Sequence, residues 1–192
     1  RLWRRARRQH ELPSADRIAD AQKAVGHQNM KFLPEQQAVL MARPGMRLDL
    51  GAIAKGYATD EALRVLRESG CPRAMVDGSG DLALGDPPPN AKGWKIAIAA
   101  RSEPSGQPSL TLMLSNCGVA TSGDVYQFVE IDGRRYSHIV DPATGLGLTT
   151  PSTVTIVAPD GMTADSLASA VSVLGPETGV QLIENSNRCE AL

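Results

Sequence analysis

Apolar residues recur at helical spacing in two clear stretches and at alternating spacing in several shorter ones. Ile53, Tyr57, Leu63 and Leu66 form an apolar stripe with Gly70 at the C-cap position, which predicts a helix over about Gly56 to Ser69. Leu167, Val171 and Leu174, at i, i+4 and i+7, predict a second helix over about Thr163 to Leu174, stopped by Gly175. Ser14 as N-cap and Gly26 as stop bracket a third, reaching Val25, and a short last helix is expected from Glu177 to Glu184. Alternation predicts strands over Arg73 to Asp77, Trp94 to Ala99, Leu110 to Leu114 and Thr153 to Ala158, with a polar loop from Arg101 to Pro108. The strongest hairpin signal is Asp132-Gly133 between the runs Val125 to Ile131 and Arg134 to Val140. Pro34 leaves Phe32 to Ala42 ambiguous, and the prolines within Gly85 to Asn90 make that segment a surface loop. Because strands and helices do not alternate regularly, the fold class is α+β, with a largely antiparallel sheet and packed helices.

Composition changes this picture little. The 192 residues fit one domain with a substantial core, at 42% apolar and 21% charged residues. Aromatics are only 4%, so the core is expected to consist mainly of Leu, Val, Ile, Ala and Met. A formal net charge of −1 offers no global argument for nucleic acid or an anionic surface. The exception is Arg1-Leu2-Trp3-Arg4-Arg5-Ala6-Arg7-Arg8, which reads as a solvated helix end or as a lipid or RNA contact. Cys71, Cys117 and Cys189 are odd in number and form no C-x-x-C pair, which argues against a disulfide framework or structural zinc. No run approaches the ~18 apolar residues of a membrane span. The chain opens on Arg and shows no signal peptide, so an N-terminal part is expected to precede it.

Candidate chemistry sits in three places. Leu48 to Asp60 is an apolar segment bent at Gly51 and Gly56, with Asp49 and Lys55 around the bend, an arrangement suited to a phosphorylated ligand. Asp165 and Ser169 repeat at i, i+4 on the predicted helix, where two oxygens on one face suit a hard cation such as Mg²⁺. The same spacing also describes a plain polar face with an Asp favoured by the helix dipole. His138 lies on a hairpin strand in Tyr136-Ser137-His138-Ile139-Val140-Asp141-Pro142, either as a structural residue or as a proton carrier. Ser137 beside it is no hydrolase dyad, because adjacent strand residues face opposite sides. Thr121-Ser122-Gly123-Asp124 reads as a turn whose amides and hydroxyls suit a phosphate. Two further patterns fail. Gly78-x-Gly80-x-x-Ala83 is followed by prolines where a dinucleotide-binding helix should start. Asp77-x-Ser79-x-Asp81 has Leu82 and Pro88 where a calcium loop needs Gly and Glu.

In chain order the segments L-D-L-G-A-I-A-K-G-Y-A-x-D, V-D-G-S-G-D, T-S-G-D, Y-S-H-I-V-D-P-x-T-G and A-D-S-L-A-S-A resemble the ApbE family of flavin transferases, over roughly two thirds of the chain, about Leu48 to Gly175. The resemblance implies a tunnelling-fold-like domain across residues 1–192, with the family's N-terminal portion outside this sequence. It implies an enzyme that takes FAD as substrate with Mg²⁺, transfers FMN to a Thr or Ser hydroxyl of an acceptor redox protein, and releases AMP. Asp49, Lys55 and Ile139 match flavin-nucleotide contacts. Ala52 (through its carbonyl), Asp165 and Ser169 match the metal ligands, and His138 matches the residue that assists attack. The same resemblance implies the periplasmic side of the bacterial cell envelope, with no nucleic-acid partner and no membrane span in this chain. Ser169 stands where the family usually has Thr, and Ser79 where it commonly has Gly. A Mg²⁺-dependent FAD pyrophosphatase, or a non-catalytic FAD-binding protein, would use the same groups.

Overall fold

The computed structural model describes residues 2–99, 108–124 and 127–192. In chain order it opens with α1 (Leu2–Gln9), α2 (Ala15–Gln22), β1 (Met30–Leu33), β2 (Ala38–Met41) and α3 (Ala54–Glu68). There follow β3 (Met75–Asp77), β4 (Leu82–Leu84), β5 (Trp94–Ala99), β6 (Pro108–Leu114) and β7 (Cys117–Gly123). The chain closes with β8 (Phe128–Ile131), β9 (Arg134–Ser137), β10 (Thr153–Ala158), α4 (Gly161–Glu184) and β11 (Glu190–Ala191). The expected loop from Arg101 to Pro108 lies outside the described residues except for Pro108, as do Val125 and Tyr126 of the expected hairpin. The chain divides into two compact units, Arg1–Asp49 with Gln127–Thr150, and Leu50–Tyr126 with Pro151–Leu192.

The first unit is built around the β8–β9 hairpin. Asp132 and Gly133 take φ +51 and +72, the left-handed pair a two-residue turn requires, and Ile131 pairs with Arg134 across it. Val129, Ile131 and Tyr136 face a small core that Trp3 and Ala6 complete. Those two residues stand three apart, so α1 turns one apolar stripe inward. Trp3 Nε1 donates to the Ser137 carbonyl at 3.1 Å, and its ring meets Tyr136 edge-on at 5.7 Å. The arginine-rich start is therefore an anchored amphipathic helix rather than a loose end. Helix α2 stops at Gln22, short of Val25, which is reached through successive turns. The ambiguous Phe32 to Ala42 resolves as the β1–β2 hairpin, where Pro34 opens a single helical turn between the strands.

The second unit holds a five-stranded sheet, order β11-β10-β7-β4-β3, with every pair antiparallel. One face, through Ala120, Ile156 and Ala158, packs against Ala164, Ala168, Val171 and Ile183 of α4. The neighbouring residue Val119 points to the other face, where it meets Leu84 and Ile96 of the β5–β6 side. Helix α3 packs on α4 and on β3 and β4.

The structure differs from expectation at three points. Thr121, Ser122 and Gly123 form the end of strand β7 rather than a turn, because they pair with Thr155, Val154 and Thr153. Strand β4 was not anticipated, being three residues long and too short to show a period. Tyr57 is 55% exposed and Leu174 45% exposed, so neither belongs to its helix's buried stripe. Leu63 and Val171 of the expected stripes are buried, and the small residues Gly56 and Thr59 on α3 and Ala164 and Ala168 on α4 complete the buried faces. The stop expected at Gly175 is present: at φ +77 and ψ 176 it breaks the helical run, Pro176 follows, and helix resumes as far as Glu184, where a separate short helix was expected.

Candidate functional site

The second unit brings together most of the motif that opens on Leu48. Leu50 accepts from the amides of Ile53 and Ala54, closing the bend and starting α3. The first amides of a helix have no partner inside it. Here the Gly56 N–H donates to Asp165 Oδ2 at 3.2 Å, so the start of α3 is aimed at a carboxylate on α4. This approach requires glycine: a Cβ on Gly56 would stand 2.1 Å from the Gly161 carbonyl oxygen. Asp60, one turn further along α3, accepts from the amides of Gly161 and Met162 at 2.7 and 2.8 Å. Asp160 caps the same end of α4 through the Thr163 amide at 2.7 Å. On the far side Gly118 of β7 lets the backbone of Asp160 come within 2.2 Å of where a Cβ would sit. The first turn of α4, which leads directly into Asp165, is thus clamped from three directions.

Lys55 reaches the other way, placing Nζ 2.6 Å from Asp81 Oδ2. The Asp81 side chain is 2% exposed, while that of Lys55 is 50% exposed. Burial pushes the Asp81 carboxyl above its usual range. The Lys55 ammonium opposes that shift, the charge of Asp165 adds to it, and a backbone hydrogen bond from Thr121 lowers it again. Two buried carboxylates with one ammonium beside them make a locally electronegative spot in which a cation is favoured. Ser169 lies one helical turn after Asp165, half-buried, and Ala52 lies in the exposed turn ahead of α3.

The remaining three residues named by sequence lie in the first unit. Asp49 is exposed and pairs with Arg4 at 2.7 Å. His138 falls one residue past the end of β9, not within it, because the ladder ends at the Ser137–Phe128 pair. Its amide donates to the Gln127 carbonyl at 2.9 Å, and its ring Nδ1 lies 3.2 Å from the same oxygen. A carbonyl can only accept, so Nδ1 carries the proton and Nε2 is the acceptor nitrogen of the neutral ring. Ser137 is buried, and its Oγ accepts from the Ile139 amide at 3.1 Å, so its hydroxyl is engaged by the backbone and not by His138.

Two residues of the second unit went unassigned by sequence. Asp81 closes the Gly78–Asp81 turn, in which Gly78 N–H donates to the Asp81 carbonyl at 2.8 Å and Ser79 takes φ +62. Its signal was its place at the end of the V-D-G-S-G-D block, as that of Asp60 was the last position of the block that opens on Leu48, and neither block by itself assigns the carboxylate a partner.

A model of the ApbE family matches residues 1–192, and the chain belongs to that family. Among named relatives, the FAD:protein FMN transferase of Treponema pallidum (strain Nichols) is 37% identical over 163 residues, covering 80% of this chain and 45% of its own. The FAD:protein FMN transferase of Escherichia coli K12 is 31% identical over 179 residues, covering 90% and 50%. The crystal structure of the ApbE protein of Thermotoga maritima superposes with a TM-score of 0.83 at 30% identity, covering 95% of this chain and 59% of that one. The apo flavinyl transferase ApbE of Pseudomonas stutzeri gives 0.80 at 34% identity, covering 94% and 55%. The chain therefore spans about half the length of these relatives. The α+β class read from the sequence agrees with these structures.

Proposed function

We propose that this protein transfers FMN from FAD to a Thr or Ser hydroxyl of an acceptor protein, forming a phosphoester and releasing AMP. Relatives of 31% and 37% identity are named FAD:protein FMN transferase. The observation that carries the reading within this chain is the juxtaposition of Lys55, Asp81, Asp165 and the Gly56 amide at the clamped start of α4. Such a cluster meets the needs of a pyrophosphate. An ammonium and a cation-favouring carboxylate suit the charge that phosphate oxygens gain as the bond from the FMN phosphorus to the bridging oxygen breaks.

The donor set fits Mg²⁺. Asp165 and Ser169 offer hard oxygens from one helix, the Ala52 carbonyl offers a third, and Mg²⁺ ordinarily completes its shell with water and substrate phosphate. Among the described residues no three His, Cys, Asp or Glu side chains gather to hold a metal ion. When bound, the ion supplies positive charge against the pyrophosphate oxygens. The rest falls to the protein. Lys55 neutralises phosphate charge, and Asp49 and Ile139 contact the nucleotide. His138 takes the proton that the acceptor hydroxyl loses as its oxygen bonds to the FMN phosphorus. An imidazole near pKa ~6.5 suits that transfer at neutral pH. AMP leaves with the bridging oxygen, so bonds and charge balance. The acceptor is a redox protein bearing the target hydroxyl, placed on the periplasmic side of a bacterial envelope. Among the described residues no helix is long and apolar enough to cross a membrane.

The test is to incubate the full-length protein with FAD, Mg²⁺ and an acceptor carrying the target threonine, with an EDTA control. Mg²⁺-dependent AMP release together with covalent flavin on the acceptor is expected. AMP and free FMN without labelling would replace the transferase by a pyrophosphatase. Bound FAD without AMP would make the protein a flavin carrier.

A further inference from the structure

We propose that Asp81 is a positioning residue that holds the Lys55 ammonium in place at the start of α3. The inference rests on the flavin-transferase reading for what Lys55 does to substrate, but the holding itself does not depend on it.

The argument begins with the asymmetry of the pair. The Lys55 side chain is half exposed, on a flexible four-carbon stem at the second residue of α3, and nothing about that position by itself selects one direction. Asp81 is the opposite, a side chain 2% exposed whose backbone is fixed by a hydrogen-bonded turn on one side and strand β4 on the other. Strand β4 is itself sandwiched between β3 and β7, so the carboxylate cannot follow a wandering lysine. An ion pair with one rigid, buried end loses freedom on the lysine side alone, and so sets where the ammonium stays. The place it stays is against Asp81, one residue before the Gly56 amide that reaches Asp165. Without Asp81, Lys55 would extend into water or fold directly onto Asp165, competing there with any cation.

The structural arm measures lysine acylation by peptide mass spectrometry. In the wild-type protein Lys55 should acylate more slowly than the exposed Lys92 and Lys95, which have no carboxylate partner within ion-pair distance among the described residues. In Asp81→Asn, Lys55 should accelerate severalfold while Lys92 and Lys95 stay unchanged. A Lys55 rate equal to theirs in the wild type, or unmoved by the substitution, overturns the holding role whether or not the enzyme is active. The wild-type comparison stands even if Asp81→Asn fails to fold.

The kinetic arm uses Lys55→Met, Asp81→Asn and the double variant, with FAD binding by flavin fluorescence and AMP release as readouts. Asp81→Asn should lower kcat/KM for FAD about tenfold to a hundredfold, the worth of a hydrogen bond to a charged group. The double variant should be no worse than Lys55→Met alone, because a residue that acts through Lys55 has nothing left to position. Losses that multiply would overturn the assignment and make Asp81 an independent contributor. A wild-type protein that neither binds FAD nor releases AMP would sink the flavin-transferase reading while leaving the acylation result intact.

Discussion

Asp165 and His138 differ in what surrounds them, and their substitutions should differ in kind. Asp165 is 6% exposed, accepts the Gly56 amide, and sits one turn into a helix whose start is clamped. Asp165→Asn keeps that acceptor and its volume while removing the charge that favours a cation. The variant is expected to fold, to bind FAD weakly, and to lose Mg²⁺-dependent AMP release. His138 is held through its amide and Nδ1 against Gln127, with Nε2 as the ring's acceptor. His138→Ala should retain FAD binding, seen as flavin fluorescence quenching, and lose about 10²- to 10⁴-fold in transfer, the usual worth of a general base. Wild-type transfer by that variant would remove His138 from the reaction. At this scale residue types were legible and their partners were not. The i, i+4 spacing of Asp165 and Ser169 fitted an ordinary polar face as well as a metal face. What the spacing could not show is that the carboxylate is buried and accepts the Gly56 amide.

At the scale of elements, the contact between the starts of α3 and α4 decides whether the cluster exists. Gly56, Gly161 and Gly118 let three backbone segments approach closer than any side chain allows. Gly56→Ala gains up to ~1 kcal/mol of helix propensity. The new methyl, however, would lie 2.1 Å from a carbonyl oxygen and must push the helices apart. A net loss of about 1–3 kcal/mol is expected in urea unfolding, the range for overpacking a close contact. A lowered affinity for Mg²⁺ should accompany it, because the Gly56–Asp165 hydrogen bond opens. Equal or raised stability would show that the contact is not tight. Elements with local signals were readable: Asp132-Gly133 dictates its own turn, and Gly70 takes φ +82 just past α3. Strand β7 was partly hidden because Cys117-Gly118-Val119-Ala120-Thr121-Ser122-Gly123 has one strongly strand-forming aliphatic residue, and its pairing with β10 and β4 supplies the rest.

For the whole molecule, ligand linkage offers a readout that needs no acceptor. A ligand that binds only the folded state stabilises it by RT ln(1 + [L]/Kd), about 2.7 kcal/mol at a hundredfold excess over Kd. FAD with Mg²⁺ should therefore raise the melting temperature of the full-length protein by about 5–10 °C, given ~2–4 °C per kcal/mol at this size. EDTA should remove most of that rise. A rise untouched by EDTA would separate flavin binding from the metal and favour the carrier reading.

The order of its motifs, its helices and its hairpin turn were determined by the sequence alone, since each depends on residues a few positions apart. Membership of the ApbE family followed from the same local blocks. Tertiary structure decided which of those blocks meet. The Gly56–Asp165 bond joins residues 109 apart in sequence, and the Asp60–Gly161 bond residues 101 apart. Asp81 became part of the cluster only because β4 lies between β3 and β7, beneath the start of α3. Backbone propensity acts within a turn of helix or a hairpin, whereas burial and ion pairing arise between segments that only the folded chain brings into contact.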